Sequence, residues 1–103
     1  MTVDPALPGA DIVERGLDDL ARDRISPEAL AVLCASPRLC RLGFVVPRVA
    51  LSQSAEIELY NLLGHANVPD PYSAYNALLR RVVAFSAAVE ARLGRVARTR
   101  RDG

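Results

Sequence analysis

The feature that most constrains how this chain folds is a long apolar heptad in its last third. Asp70 and Pro71 suit the N-cap and first position of a helix, and no glycine or proline follows until Gly94. From Tyr72 to Val96, apolar residues recur at alternating spacings of three and four, with Ser86 as the one polar member. This pattern predicts one long helix with a coiled-coil-like seam. The seam residues are Tyr72, Tyr75, Leu79, Val82, Val89, Leu93 and Val96.

The predicted helix is longer than the domain that carries it. From Pro71 to Arg98 it would span about 42 Å, whereas a compact globule of this size is roughly 33 Å across. We therefore expect the end of the helix to project and part of its seam to lack cover from its own chain. Uncovered apolar surface favours self-association, as a homodimer, or docking on a different partner protein.

The opposite face of the same helix is basic, because five arginines fall within about 120° of arc on a helical wheel. This basic stripe consists of Arg80, Arg81, Arg92, Arg95 and Arg98. Residues 80–103 hold seven Arg against two acids, a net of +5, whereas residues 1–79 hold six Arg against ten acids, a net of −4. The asymmetry predicts either an internal pairing of the acidic first helix with the basic last one, or an association between molecules, as an antiparallel dimer or by capture of an acidic partner. Nucleic acid is the weaker alternative, since no aromatic residues interleave with the arginines from Arg92 to Arg101 to read bases.

Proline and serine mark the boundaries of the earlier helices. Residues 1–9, with two prolines and a glycine, predict a flexible lead-in, and the pattern that follows predicts an amphipathic helix from Ala10 to Arg24. Ser26-Pro27 begins a second helix that runs to about Ala35. Ser36-Pro37 begins a short third one, which ends at Gly43.

The segment 44–51 is the only one with the composition of a strand, and Pro47 interrupts it. We expect an extended crossover lying on the bundle, with pairing to a second copy as the alternative. Ser52 then predicts the N-cap of a fourth helix over about Gln53 to Leu63, whose apolar content makes it the helix we expect to be most buried.

The chain is therefore predicted to be all-α, with a single helical-bundle domain over residues 10–98 and a disordered basic tail over 99–103. Four main helices and one short helix make up the bundle. Half of the residues are hydrophobic and the formal charge is +1, which argues against intrinsic disorder and against binding of nucleic acid by the molecule as a whole.

Residue types that carry chemistry are sparse. The chain has one histidine, His65, and no lysine, and five residues separate Cys34 from Cys40, a spacing unlike that of redox or zinc pairs. We therefore assign no catalytic residue, metal or cofactor. Tyr60, His65 and Asn67 mark a candidate ligand joint between the last two long helices, although such groups also commonly satisfy helix ends.

The start of the chain carries acids and no basic apolar signal, which predicts a cytoplasmic location. No apolar run approaches the ~20 residues of a membrane span. The sequence as a whole predicts a non-catalytic helical protein that acts through protein contacts.

Overall fold

Five helices form the structure, a computed structural model that describes the backbone of residues 2–102 and the side chains of residues 2–96. In chain order they are α1 (Ala10–Ala21), α2 (Pro27–Cys34), α3 (Ser36–Arg41), α4 (Ala55–His65) and α5 (Pro71–Asp102). No strand occurs within the described backbone. The predicted all-α bundle of four main helices and one short helix, with a long C-terminal helix, is confirmed.

Two of the predicted caps form as the sequence indicates. The Ser26 hydroxyl accepts a hydrogen bond from the Ala29 N–H (3.1 Å) and donates one to the Asp19 carboxylate (2.6 Å). The same hydroxyl therefore caps α2 and links its start to the end of α1. At the start of α5, the Asp70 carboxylate accepts from the N–H and the hydroxyl of Ser73 (3.1 and 2.7 Å). Each cap satisfies amide groups that have no partner inside the helix.

The predicted start of α4 is wrong by two residues. Ser54 is its N-cap and accepts from the Ile57 N–H at 3.4 Å, whereas the Ser52 hydroxyl donates to the Glu58 carboxylate at 3.0 Å. Both serines suit an N-cap chemically, so the sequence does not distinguish them.

Helix α1 ends three residues before the predicted Arg24, because Asp23 takes the left-handed conformation with φ 57°. The chain then turns back, and the Arg24 N–H donates a hydrogen bond to the Asp19 carbonyl at 2.8 Å. Helix α3 ends in the same way, with Gly43 at φ 100° and the Phe44 N–H donating to the Leu39 carbonyl at 3.0 Å. The predicted stop at Gly43 is confirmed, and its geometry is a Schellman motif.

Residues 44–51 form an extended crossover without strand pairing, as predicted. Phe44 is buried, Val45 is 83 % exposed, and Val46, Val49 and Leu51 are half-buried against the core. The crossover therefore covers one side of the bundle with its apolar side chains.

Helix α2, rather than α4, is the most buried. Its residues 29–32 are at most 1 % exposed, because α2 packs against α1, α4 and α5. Helix α4 buries only Leu59 and Leu63, while Ile57 and Tyr60 remain about half exposed (49 % and 46 %). The apolar composition of α4 does not reveal that only one of its sides is covered.

The middle of α5 completes the core. Val82, Phe85 and Ser86 are fully buried, and the Phe85 ring lies 5.5 Å from the ring of Phe44. The Ser86 hydroxyl donates to the Val82 carbonyl at 3.0 Å, so the polar member of the seam is satisfied within its own helix.

The N-terminal residues 2–9 lie outside the helices, with turns over residues 5–9, and Val3 and Leu7 pack against the core. Their predicted flexibility stays a prediction. At the other end, the bounds of α5 extend past the predicted Arg98 and include residues 99–102, which were predicted to form a disordered tail. The side chains of residues 97–102 and all of Gly103 lie outside the described residues.

The molecule is elongated along α5. Its extents are 53 × 26 × 20 Å and its radius of gyration is 14.8 Å, against roughly 13 Å for a compact domain of this length. A helix of 32 residues is about 48 Å long, which accounts for most of the long dimension. None of the helices in the described range is both long and apolar enough to cross a membrane.

Replacing Gly16 with alanine should destabilise the protein, because a Cβ there would lie 2.5 Å from the Glu28 carbonyl oxygen and 2.5 Å from a Val32 methyl group. We expect a loss of about 1–3 kcal/mol in the free energy of unfolding. The matched control is Gly64→Ala in α4, where a Cβ meets nothing within 4 Å and the change should stabilise by roughly 0.5–1 kcal/mol. Urea denaturation measures both, and equal effects would contradict the close packing of α1 on α2.

Candidate functional site

The predicted seam of α5 divides into a buried middle and exposed ends. Val82 and Val89 are 0 % and 4 % exposed, so they belong to the protein's own core and offer no surface to a partner. Tyr75 and Leu79 are half-buried. The exposed members are Tyr72 (65 %), Leu93 (39 %) and Val96 (44 %).

An open groove runs beside α5, between this helix, α4 and the corner where α2 meets α3. It consists of two clefts of about 390 and 340 Å³ that share Glu56 in their lining. The first, the aromatic cleft, is lined by Glu56, Ile57, Tyr60, Asn61, Tyr72 and Tyr75. The second, the corner cleft, has walls formed mainly by Cys34, Pro37, Arg38, Arg41, Leu79 and Val83.

The aromatic cleft is built from two helices. Tyr60 of α4 and Tyr75 of α5 meet edge to face, with ring centroids 6.3 Å apart. Such pairs stabilise beyond the area they bury. Tyr60 stays exposed to solvent together with Ile57 and Tyr72, whereas Tyr75 is half-buried. The cleft therefore presents rigid aromatic surface at low conformational cost, which is characteristic of protein interfaces.

The corner cleft has an apolar rim and charged ends. Val83, on the rim, is 51 % exposed. Arg38 donates two parallel hydrogen bonds to Glu90, from Nε to Oε1 at 2.7 Å and from Nη2 to Oε2 at 2.8 Å. This bond lowers the pKa of Glu90 and raises the pKa of Arg38. Among the described side chains, neither Arg41 nor Glu56 has an ion-pair partner within 4 Å.

Sequence reasoning missed this groove, although the predicted seam contains four of the six α5 residues that line it. Val83 lies one residue beyond the heptad position Val82, so the heptad pattern placed it only at the margin of the seam. Glu56, Ile57 and Arg41 come from other helices, and nothing in the chain indicates that α3 and α4 flank the same side of α5. The one sequence signal for this groove is that Leu79, Val82 and Val83 make the apolar face of α5 wider than the heptad seam alone.

The basic stripe is partly neutralised within the chain. Arg81 binds Asp11 and Arg92 binds Asp4, each at 2.6 Å. The expected internal pairing of the acidic first helix with the last one is confirmed for Asp11. Arg80 and Arg95 are exposed, and the side chain of Arg98 lies outside the described residues.

The structure places the three residues of the candidate ligand joint in two different surroundings. Tyr60 lies in the aromatic cleft, but His65 and Asn67 are exposed at the end of α4 and do not line that cleft. Asn67 takes the left-handed conformation at φ 58°, and its N–H donates to the Gly64 carbonyl at 3.2 Å. Its role here is to end a helix, which is the structural alternative for such residues.

The two cysteines differ in environment and both are free thiols. Burial raises the pKa of the Cys34 thiol to about 12, and the negative charge of Glu56 contributes further. Cys40 lies exposed on α3, with its sulfur 4.0 Å from the Ser36 hydroxyl. Across the described residues, no three His, Cys, Asp or Glu side chains gather in a way that could hold a metal ion.

Comparison with models of known families, with curated proteins and with solved structures finds no match to this chain.

The two thiols should react at very different rates, because the thiolate is the reactive form and burial suppresses it at Cys34. With iodoacetamide at about pH 8, we expect one adduct, on Cys40, by mass spectrometry of the native protein. Cys40→Ser should then give no adduct over the same period, while denatured wild type gives two. Faster labelling of Cys34 than of Cys40 would contradict its burial.

Stability should fall in acid partly through Asp11. Its bond to Arg81 lowers its pKa below the ordinary value of 3.8. At pH values between the two pKa values, the folded chain therefore binds fewer protons than the unfolded chain. The stability that the Asp11–Arg81 pair contributes is present above pH 3.8 and is lost as the pH falls through the folded-state pKa of Asp11. Urea midpoints measured from about pH 5 to about pH 2 should fall less steeply for Asp11→Asn than for wild type. Glu14→Gln, at an exposed position of the same helix without an ion pair, is the control. Identical slopes for Asp11→Asn and wild type would show that the Asp11–Arg81 pair does not contribute.

Proposed function

We propose that this protein is a non-catalytic helical interaction protein that binds another protein chain, a second copy or a different partner, through α5 and the groove beside it. The observation that carries the proposal is the distribution of exposed apolar side chains. Eight large hydrophobic residues of the described chain are exposed, and six of them lie on α4 or α5. They are Ile57, Tyr60, Tyr72, Val83, Leu93 and Val96.

The shape of this surface supports a protein ligand. A groove bordered by exposed aromatic and aliphatic side chains, with arginine at one end, has the composition enriched at protein interfaces. An amphipathic helix fits such a groove by burying its apolar face against the walls. The projecting turns of α5 lengthen the surface beyond the body of the domain.

The polar groups of the described chain support a non-catalytic role. The buried polar side chains Asp19 and Ser86 are both hydrogen-bonded within the chain. The Cys34 thiol is a weak nucleophile because its pKa is raised. His65, the only histidine, is exposed and forms no hydrogen bond with Cys34 or Cys40 in the described region. A nucleophile held by a base is therefore missing from the grooves described above.

Association with nucleic acid is the second proposal, supported by the net charge of +5 over residues 80–103. It ranks second because the acids Asp11 and Asp4 already bind Arg81 and Arg92. A cytoplasmic location stays a prediction from the sequence.

The test is the mass of the assemblies that the chain forms, alone and with extract of its host, by light scattering. We expect assemblies heavier than the 11.1 kDa chain. A triple variant, Tyr72→Glu with Val83→Glu and Leu93→Glu, should abolish them. The control is Ile25→Glu with Val45→Glu, which changes apolar residues of similar exposure away from the groove.

Circular dichroism confirms that both variants remain helical. Assemblies that persist unchanged in the triple variant, or a wild-type chain that is monomeric in both conditions, would refute the proposed function.

A further inference from the structure

Resting on the proposed function, we infer that the occupant of the groove is a second copy of this chain, with the two α5 helices antiparallel about a two-fold axis near Val83. The order of features along the groove carries this inference.

The first step is the position of the two charges that lack an ion pair. Glu56 lines both clefts, so it lies where the aromatic cleft with Tyr75 meets the corner cleft. Arg41 lines the corner cleft and follows, by one turn of α3, the Arg38 that holds Glu90. Tyr75 lies eight residues before Val83 and Glu90 seven residues after it. Both charges therefore line the corner cleft and lie on opposite sides of Val83 along α5, the acid towards Tyr75 and the arginine towards Glu90.

A two-fold axis at Val83 exchanges those two positions. It brings Glu56 of one copy opposite Arg41 of the other, and the same pair forms a second time by symmetry. Self-complementary patches of this kind define an isologous dimer, the commonest form of assembly. Antiparallel α5 helices also align their dipoles favourably. Neither charge needs to leave an existing partner, because none lies within 4 Å among the described side chains.

The same register brings the start of α5 in one copy to the level of the Leu93 turn in the other. Tyr72 lies eleven residues before Val83 and Leu93 ten residues after it. In the antiparallel pair, the Leu93 turn of each copy therefore lies beside the Tyr72 turn of the other. These two side chains are 39 % and 65 % exposed in the single chain. One arrangement thus covers Val83 and Tyr72 of both copies, whereas an unrelated partner helix would need to match each of these features separately.

The experiment uses the purified chain alone, by sedimentation equilibrium from about 1 µM to about 1 mM. We expect a monomer–dimer equilibrium. Val83→Arg should raise the dissociation constant at least about tenfold, because it places like charges on the axis. Val45→Arg is the matched control, since Val45 is the most exposed valine, at 83 %, and lies on the crossover. It should leave the constant unchanged.

Charge exchange tests the register. Glu56→Arg and Arg41→Glu should each weaken the dimer by several-fold, and the double variant should restore it, because the exchanged charges again face each other. Glu14→Arg with Arg24→Glu, at exposed positions outside the groove, controls for net charge. A dimer that both single variants weaken and the double variant does not restore would overturn the register.

Two further outcomes would overturn the inference and leave the proposed function standing. One is a purified chain that stays monomeric while the assembly formed in extract still depends on Tyr72, Val83 and Leu93. The other is a dimer that Val83→Arg does not weaken while the triple variant dissociates it. Loss of the proposed function itself requires assemblies that persist unchanged in the triple variant, or a wild-type chain that is monomeric both alone and in extract, so the two failures are distinguishable.

Discussion

The rest of the structure depends on the burial of the middle of α5. Val82, Phe85 and Val89 lie at most 4 % exposed, and the Phe85 ring meets Phe44 from the crossover. Helix α2 contributes the opposing surface, with four consecutive residues that are almost without exposure. This contact covers the middle of α5, whereas the large hydrophobic residues near its two ends stay 39–65 % exposed. The division of α5 into a core segment and exposed ends follows from where this contact lies along the helix.

Close approach of backbones determines which side of α5 stays open. Gly9, at φ 74°, lies against the carbonyl of Arg81, and a Cβ there would collide with it. The start of α1 is therefore in contact with α5, which brings Asp11 to Arg81, while Asp4 in the preceding turns reaches Arg92. These acids form ion pairs with two arginines of the basic stripe. The polar contacts of the N-terminal segment thus close one flank of α5, and the groove lies on the other flank.

Helix α4 borders that groove because only one of its sides is buried in the core. Leu59 and Leu63 anchor it, whereas Ile57 and Tyr60 face outward beside Tyr72. The single chain leaves about half or more of each of these three side chains in water, and the exposed part gains no hydrophobic stabilisation. A surface of this kind is consistent with a partner that removes it from water. The charges at Glu56 and Arg41 would then fix the orientation of that partner, since an ion pair contributes more to register than to affinity.

The sequence by itself determined the helical class, the count of helices, most of their ends and the continuity of α5. These depend on local physics: proline geometry, serine and aspartate caps, the left-handed glycine at position 43 and the period of the apolar residues. Only the tertiary structure decided which parts of the seam are buried, which arginines are paired, and that Val83, Glu56 and Arg41 share one groove. A heptad specifies a face and its direction but not how much of that face its own chain covers. That coverage depends on where α2, α4 and the N-terminal turns pack, and packing among distant segments leaves no local signal.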